Sequence, residues 1–334
     1  MNPVKRTHDS VLAVDIGGTW TRAAAVTEAG DIVASARAAT VSTGSIEEVR
    51  SVWRSVLAEC EEALAGIGHS AAFKGVGVGV TGPVDRETGV TFVPPNTGNA
   101  LANVELGAEF TTLTGLRTVV ERDTNAAALA EQRYGAARGS SSFVYLTIST
   151  GVGGAIIDND RLLLGHNGAA GELGHVVVSP NGPMCGCGRR GCIEAIASGP
   201  ALASAALSGA ADPSATGLAA LISENGGHLT GLDVDRAAHG GDPLAIAILA
   251  RAKSAVSSWA TDVTNIFNPE LIVIGGSVAA AHPDWIVEAA SAIQQNALMP
   301  SGSTAKVVAA SLGDDGVLLG AALAAWSQVR AENS

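Results

Sequence analysis

The sequence predicts an α/β fold in two domains, on the strength of its length, its composition and an internal repeat. A chain of 334 residues is long enough for two packed cores, taking one domain per roughly 100 to 200 residues. Hydrophobic residues make up 47% of it, aromatic residues only 4%, and glycines number 41. That mixture suits close-packed α/β layers joined by tight turns better than an all-β sandwich. A strand, a glycine turn and a returning strand near the N-terminus recur after residue 142, so the domains read as two related halves.

Residues 11–16 and 21–26 read as strands flanking Gly17-Gly18, and a turn at Ala29-Gly30 leads into a third strand over 32–36. The apolar phase of Val49, Trp53, Val56, Leu57, Cys60 and Leu64 predicts a helix over 46–64 and makes Cys60 a small core residue. Glycine and valine alternate through 75–80 as in a strand; a short helix near 105–114 and a strand at 118–121 follow. That strand delivers Asp123 to an alanine-rich helix over 125–134. The second half opens with a strand over 143–148, a glycine turn over 149–154 and a returning strand over 155–158. It continues through a cysteine segment into helices, the longest over 244–267, which Asn268-Pro269 ends. Residues 271–274 form a buried strand running into Gly275-Gly276-Ser277, and 317–329 a last helix able to return to the first domain. The least structured stretches are 139–142 and 209–217, neither long enough for a free linker. The expected domains are 1–121 with 317–334, and a larger 122–316.

A net charge of −12 without a compensating basic stripe argues against nucleic acid or an anionic membrane as the main partner. Residues 1–10 are polar with no apolar h-region, and no uninterrupted apolar stretch approaches membrane-spanning length, so the expected compartment is the cytoplasm. A thiolate metal cluster survives in that reducing environment.

His175 and the run Cys185-Gly186-Cys187-Gly188-Arg189-Arg190-Gly191-Cys192-Ile193-Glu194 place three of the four cysteines within eight residues. Three thiolates and one imidazole are a complete tetrahedral set for structural zinc. Gly186, Gly188 and Gly191 permit the sharp, positive-φ turns that fold three sulfurs around one ion. The alternative is a set of buried or disulfide-bonded cysteines.

Asp15-Ile16-Gly17-Gly18-Thr19 follows an apolar strand, where a tight turn can aim backbone N–H groups and the Thr19 hydroxyl at a phosphate, and Asp15 can hold a metal-bound water. The plain alternative is a hairpin turn. Thr147-Ile148-Ser149-Thr150-Gly151-Val152-Gly153-Gly154 repeats the logic, and two such loops suit a nucleotide polyphosphate gripped between domains. Gly275-Gly276-Ser277 is a third glycine turn, at the C-terminal end of a strand where open α/β sheets place ligands. Gly77-Val78-Gly79-Val80-Thr81-Gly82 matches G-x-G-x-x-G literally, but its glycines lie inside a strand and Pro83 follows, unlike the strand-turn-helix context of a dinucleotide site. No P-loop motif occurs.

Asp123, between a strand and a helix, reads either as an N-cap or as a general base that accepts a substrate hydroxyl proton during attack on a γ-phosphate. Glu172 and Glu194 flank the metal motif and can hydrogen-bond vicinal hydroxyls when one pinned loop presents them; Asn96 and Asn125 can do likewise. His166 and the remaining scattered histidines read as surface or core residues.

Taken together and in this order, Asp15-Ile-Gly-Gly-Thr19, Asp123-x-Asn125, Gly168-Ala-Ala-Gly171-Glu172-Leu-Gly-His175 and C-x-C-G-x-x-G-C-x-E closely resemble the ROK family of sugar kinases, repressors and related proteins. The resemblance spans nearly the whole chain. It implies an actin-like (ribonuclease H-like) ATPase fold, two α/β domains around a central cleft that closes on sugar and ATP, and a homodimer. It implies Asp123 as catalytic base and His175, Cys185, Cys187 and Cys192 as ligands of a structural Zn²⁺. Gly82, Asn96, Asp123, Glu172, His175 and Glu194 would line the sugar pocket. Asp15, Gly17, Gly18 and Thr19 would face the phosphates of ATP with its Mg²⁺, with Thr150, Gly151 and Gly276 on the nucleotide side.

Two positions depart from the family pattern. Arg122 stands where Asn commonly contacts the sugar, so that it either pairs with Glu121 or reaches a substrate oxygen. Thr97-Gly98-Asn99 follows Pro95-Asn96 where the family's glucokinases carry Gly-Trp. Both bear on the identity of the hexose. The implied activity is ATP-dependent phosphorylation of a hexose, the 6-hydroxyl of glucose first; N-acylhexosamines (N-acetylglucosamine or N-acetylmannosamine) and fructose are alternative acceptors, and polyphosphate an alternative donor. A sugar-responsive transcription regulator is the non-catalytic alternative, against which stands the expectation of a helix-turn-helix module where only ten residues precede Val11. An NAD-linked oxidoreductase rests on residues 77–82 alone.

Overall fold

In the computed structural model residues 9–69, 72–92 and 99–333 are described, and the chain separates into two compact units. One comprises the chain up to 138 with 164–170 and 314 onward; the other comprises 139–163 and 171–313.

In the first unit β1 (Ser10–Ile16), β2 (Trp20–Thr27) and β3 (Ile32–Ala39) form the antiparallel meander that the glycine turns predict. α1 (Ile46–Gly66) opens with a capping box between Ser45 and Glu48. β4 (Phe73–Val80) and β5 (Thr118–Arg122), connected through α2 (Leu106–Thr114), extend the sheet in parallel from β1, in the order β3-β2-β1-β4-β5. α3 (Asp123–Tyr134) follows β5 directly. Leu12, Val14 and Ile16 of β1 and Val76, Val78 and Val80 of β4 share one face with Val49, Trp53, Val56 and Cys60 of α1, the strand period of two meeting the helical period of 3.6.

The opposite face of β4 is glycine. A Cβ on Gly77 would overlap the Ala321 carbonyl, one on Gly79 would stand 2.5 Å from Val317 Cγ1, and one on Gly320 would overlap the Ala126 carbonyl. The C-terminal helix, Gly316–Glu332, therefore lies directly on β4 and against α3. The literal G-x-G-x-x-G match is thus a close-packing device within the unit, not a dinucleotide turn.

The second unit repeats the plan. β6 (Phe143–Ile148), β7 (Val152–Asp158) and β8 (Arg161–Leu162) are antiparallel, while β9 (Leu271–Gly275) and β10 (Lys306–Ala309) add in parallel beside β6. The order β10-β9-β6-β7-β8 matches the first sheet strand for strand, which is the doubled α/β plan of the actin-like ATPase fold. Between β8 and β9 come α4 (Glu194–Ala197), α5 (Gly199–Gly209), α6 (Thr216–Glu224), α7 (Gly231–His239) and α8 (Pro243–Phe267). Between β9 and β10 come α9 (Ser277–Ala281), α10 (Pro283–Asn296) and α11 (Ser301–Thr304). Trp259 of α8 is fully buried, and its Nε1–H donates to the Leu173 carbonyl at 3.1 Å.

The unit boundaries differ from the expected 121/122 and 316/317. α3 packs on β4, β5 and the C-terminal helix, so the first unit runs on to 138. Residues 164–170 join it where the Ala170 carbonyl accepts from Arg122 Nη2 at 3.1 Å. Asp314 and Asp315 join it through Arg22. The turn before β7 is also shorter than predicted, because Gly153 and Gly154 are strand residues, Gly154 admitting the Leu173 side chain. Among the described residues no helix is long and apolar enough to cross a membrane.

Candidate active site and metal centre

In the first unit, Asp15 is the next-to-last residue of β1 and the register places it opposite Arg22 of β2. Arg22 Nη2 and Nε both donate to Asp15 Oδ2, at 2.6 and 3.1 Å, and the same guanidinium reaches the Asp314 carbonyl and, at 3.7 Å, Asp315 Oδ1. Burial raises the Asp15 carboxyl above its ordinary value, against the lowering by Arg22. The predicted phosphate turn is pinned from behind: Gly17 N–H donates to Trp20 O at 3.0 Å, Thr40 Oγ1 donates to Gly17 O at 2.8 Å, and Thr40 N–H donates to Thr19 O at 2.9 Å. Gly17 therefore uses its amide within the hairpin, and Thr19 is the exposed residue that can meet a ligand. Arg22 was absent from the sequence-based site, although a hairpin centred on this turn pairs it with Asp15.

Asp123 is the first residue of α3 and does not cap it; the capping position is Arg122, whose side chain makes no cap bond. Asp123 Oδ1 instead accepts from the Thr124 N–H at 2.7 Å, and Thr81, just past β4, hydrogen-bonds the carboxyl. Burial pushes Asp123 up to about 6, helped by the Asp15 charge and opposed by the Thr124 amide, Thr81 and Arg122. Gly82 follows with φ +102°, a left-handed turn that glycine adopts without strain.

Arg122 does not pair with Glu121 through its side chain. Glu121, fully buried, takes Arg86 Nη2 at 2.6 Å, Asn125 Nδ2 at 2.9 Å and the Arg122 backbone N–H at 3.0 Å. The Arg122 guanidinium turns to Asn125 Oδ1, at 3.4 Å, and to the Ala170 carbonyl. Asn125 is consequently a buried link in this network. Asn96, with Pro95, Thr97 and Gly98, lies outside the described residues.

In the second unit the ligand atoms of His175, Cys185, Cys187 and Cys192 all lie within 4.8 Å of one another. Cys187 Sγ and Cys192 Sγ are 3.7 Å apart, and Cys185 Sγ is 3.6 Å from His175 Nδ1. Ligands at zinc distances in a tetrahedron stand about 3.5 to 3.8 Å from one another, so the donor set fits that ion, while the sulfurs are too far apart for disulfides. Gly188 and Gly191 have φ +85° and +74°, and a Cβ on Gly191 would overlap the Ser179 carbonyl. Gly186, contrary to expectation, has no positive φ.

Two carboxylates bracket His175. Glu172 Oε2 is 4.0 Å from Nε2, and Glu194 Oε1 is 4.0 Å from Nδ1. Glu194 Oε2 accepts the Val152 N–H at 3.0 Å, tying the metal loop to the β6–β7 hairpin. Nδ1 faces the cluster, 3.6 Å from Cys185 Sγ, and Nε2 points to the Glu172 side.

The hairpin and the β9 turn converge within this unit. Gly276, φ +90°, is pressed against the Ile148 carbonyl so closely that a Cβ would overlap it, and Ser149 Oγ lies 2.9 Å from Ser277 Oγ. Ser149 N–H donates to the Gly151 carbonyl at 2.8 Å, closing the turn. Ser149, Thr150 and Ser277 border a cavity of about 410 Å³ whose other walls come from α5, α7 and α9, large enough for a nucleoside. Its α7 wall was not foreseen, because residues 231–239 carry no motif.

Known proteins resemble this chain in sequence and fold. The glucokinase of Thermotoga maritima is 34% identical over 316 residues, 93% of this chain and 96% of its own. The N-acetylmannosamine kinase of Citrobacter koseri is 33% identical over 319 residues, 95% of this chain and 98% of its own. A ROK family glucokinase from Streptomyces griseus, solved in complex with glucose and AMPPNP, superposes with a TM-score of 0.79 at 31% identity, covering 95% of this chain and 99% of that one. The ROK family model matches residues 11–328, and the chain belongs to the ROK family.

Proposed function

We propose that this chain, a sugar kinase of the ROK family, transfers the γ-phosphate of ATP to the 6-hydroxyl of glucose. The observation that carries the reading is Asp123: a carboxyl at the β5–α3 junction, held by the Thr124 amide and Thr81 and raised to about 6. At neutral pH such a group is ionised yet basic enough to accept the hydroxyl proton as the oxygen attacks phosphorus. In this reading Gly82, Asn96, Glu172, His175 and Glu194 are sugar-binding residues, and Thr19, Thr150, Gly151 and Gly276 are nucleotide-binding ones. Phosphoryl transfer otherwise needs positioning and charge neutralisation; Mg²⁺ near Asp15 would supply the neutralisation.

His175, Cys185, Cys187 and Cys192 would hold Zn²⁺, whose contribution is to fix the loop bearing Glu172 and Glu194. The active species is a homodimer.

The kinship with the Thermotoga maritima and Streptomyces griseus glucokinases favours glucose. A second acceptor class, N-acylhexosamines, is favoured by the Citrobacter koseri relative and by Arg122, whose buried guanidinium occupies the place of the Asn that commonly meets the sugar. An ADP-release assay on zinc-loaded protein, across glucose, mannose, fructose, N-acetylglucosamine and N-acetylmannosamine, separates these readings. Turnover confined to the N-acyl sugars would overturn the glucose assignment, and no turnover with any sugar would overturn the kinase.

A further inference from the structure

The second-unit cavity contains a charged group that phosphoryl transfer does not require. Its walls are apolar or small, with Pro200, Leu202, Leu229 and Val278 among them, and among the described residues Asp235 is the one charged residue lining it. Asp235 lies on α7, and its side chain is 16% exposed. Oδ1 is buried and 2.9 Å from Nε2 of His282, a close contact without hydrogen-bond geometry, so Oδ2 is the oxygen left for a ligand in the cavity. His282, itself buried, stacks on the buried Trp285 with ring centroids 4.5 Å apart and planes inclined by 7°. The carboxylate therefore abuts a ring that is itself stacked on Trp285.

A carboxylate accepts hydrogen bonds and donates none, and in an apolar cavity its charge disfavours a neighbouring anion. A nucleoside satisfies both conditions, since its base is a flat apolar body and its ribose hydroxyls are donors. A bare polyphosphate chain entering the same cavity satisfies neither.

We propose that Asp235 is the specificity residue of the nucleotide pocket: its Oδ2 accepts a hydrogen bond from a ribose hydroxyl of the donor, and His282, stacked on Trp285, is the positioning residue that aims it. The site thereby selects a nucleoside polyphosphate over inorganic polyphosphate. This rests on the nucleotide reading of the cavity given above.

The test is calorimetric titration of the intact zinc-loaded protein with ADP, 2′-deoxy-ADP, 3′-deoxy-ADP and inorganic tripolyphosphate, which needs no sugar and no turnover. Wild type is expected to bind ADP about tenfold or more tightly than at least one deoxy analogue, the effect of a hydrogen bond to a charged group. Asp235→Ala is expected to bind ADP and that analogue equally. Asp235→Asn, which preserves shape, is expected to bind tripolyphosphate more tightly than wild type does. His282→Phe keeps the stack and loses the Nε2 contact with Oδ1, so the ribose-to-deoxyribose ratio should narrow; His282→Gln should restore part of it. A ratio unchanged in both Asp235→Ala and His282→Phe overturns the proposal while leaving ADP binding, and hence the nucleotide reading, intact. If IDP, titrated in the same way, shows that Asp235→Ala changes only the discrimination between ADP and IDP, Asp235 belongs to the base and the ribose contact is overturned. Absence of ADP binding by wild type would overturn the nucleotide reading and the proposal with it.

Discussion

The chemistry of single residues is set by burial against a few neighbours. Asp123 shows this in its pH dependence. Its folded-state value of about 6 means that kcat/KM should fall roughly tenfold per pH unit below that point, where the base is protonated, and level off above it. Asp123→Asn should lower kcat by about 10² to 10⁴ with little change in sugar affinity, since only the proton acceptor is lost; turnover near wild type would remove the residue from the mechanism. Because the Asp15 charge helps to raise Asp123, Asp15→Asn should move the acid limb of the profile to lower pH, measured on whatever residual activity remains. A limb that stayed in place would show the two carboxyls to be uncoupled.

At the scale of elements, the sequence made the strands and long helices legible because their periodicities were regular: Val76, Val78 and Val80 alternate with glycines, and α1 keeps its apolar stripe. What stayed hidden was pairing across the chain. Nothing in residues 75–80 says that Ala321 will lie on Gly77, so the same glycines imitate a dinucleotide motif. Likewise Arg86, far from Glu121 in sequence, could not be read as its partner, and of the two options for Arg122 the side-chain pairing with Glu121 is not the one formed. The metal loop was legible because its four donors fall on one local motif, apart from the missing positive φ at Gly186. Two substitutions probe these contacts. Gly77→Ala sets a Cβ against the Ala321 carbonyl and should cost about 1 to 3 kcal/mol or more, read as a lowered Tm in a thermal melt. Gly191→Ala collides with Ser179 O beside the cluster and should lower bound zinc in metal analysis of the purified protein. Full zinc occupancy would show the turn to be dispensable.

For the molecule as a whole, the two sheets repeat one plan, yet the metal loop belongs to the second unit alone. Chelating the metal should therefore weaken sugar binding more than ADP binding in parallel calorimetric titrations, since the cavity proposed for the nucleotide is walled by other elements. Equal losses would point to unfolding of the unit instead. The chain passes from one unit to the other four times, and the first unit closes only with the C-terminal helix, where Trp326 Nε1–H donates to the Val26 carbonyl at 3.3 Å across 300 residues of sequence. During synthesis the order of appearance is thus the reverse of the order of completion. The half that leaves the ribosome first exposes the glycine face of β4 until the last helix is released, so a chain truncated before residue 314 is expected to aggregate through that uncovered sheet, and the growing chain has the longest wait for its partner at its oldest end.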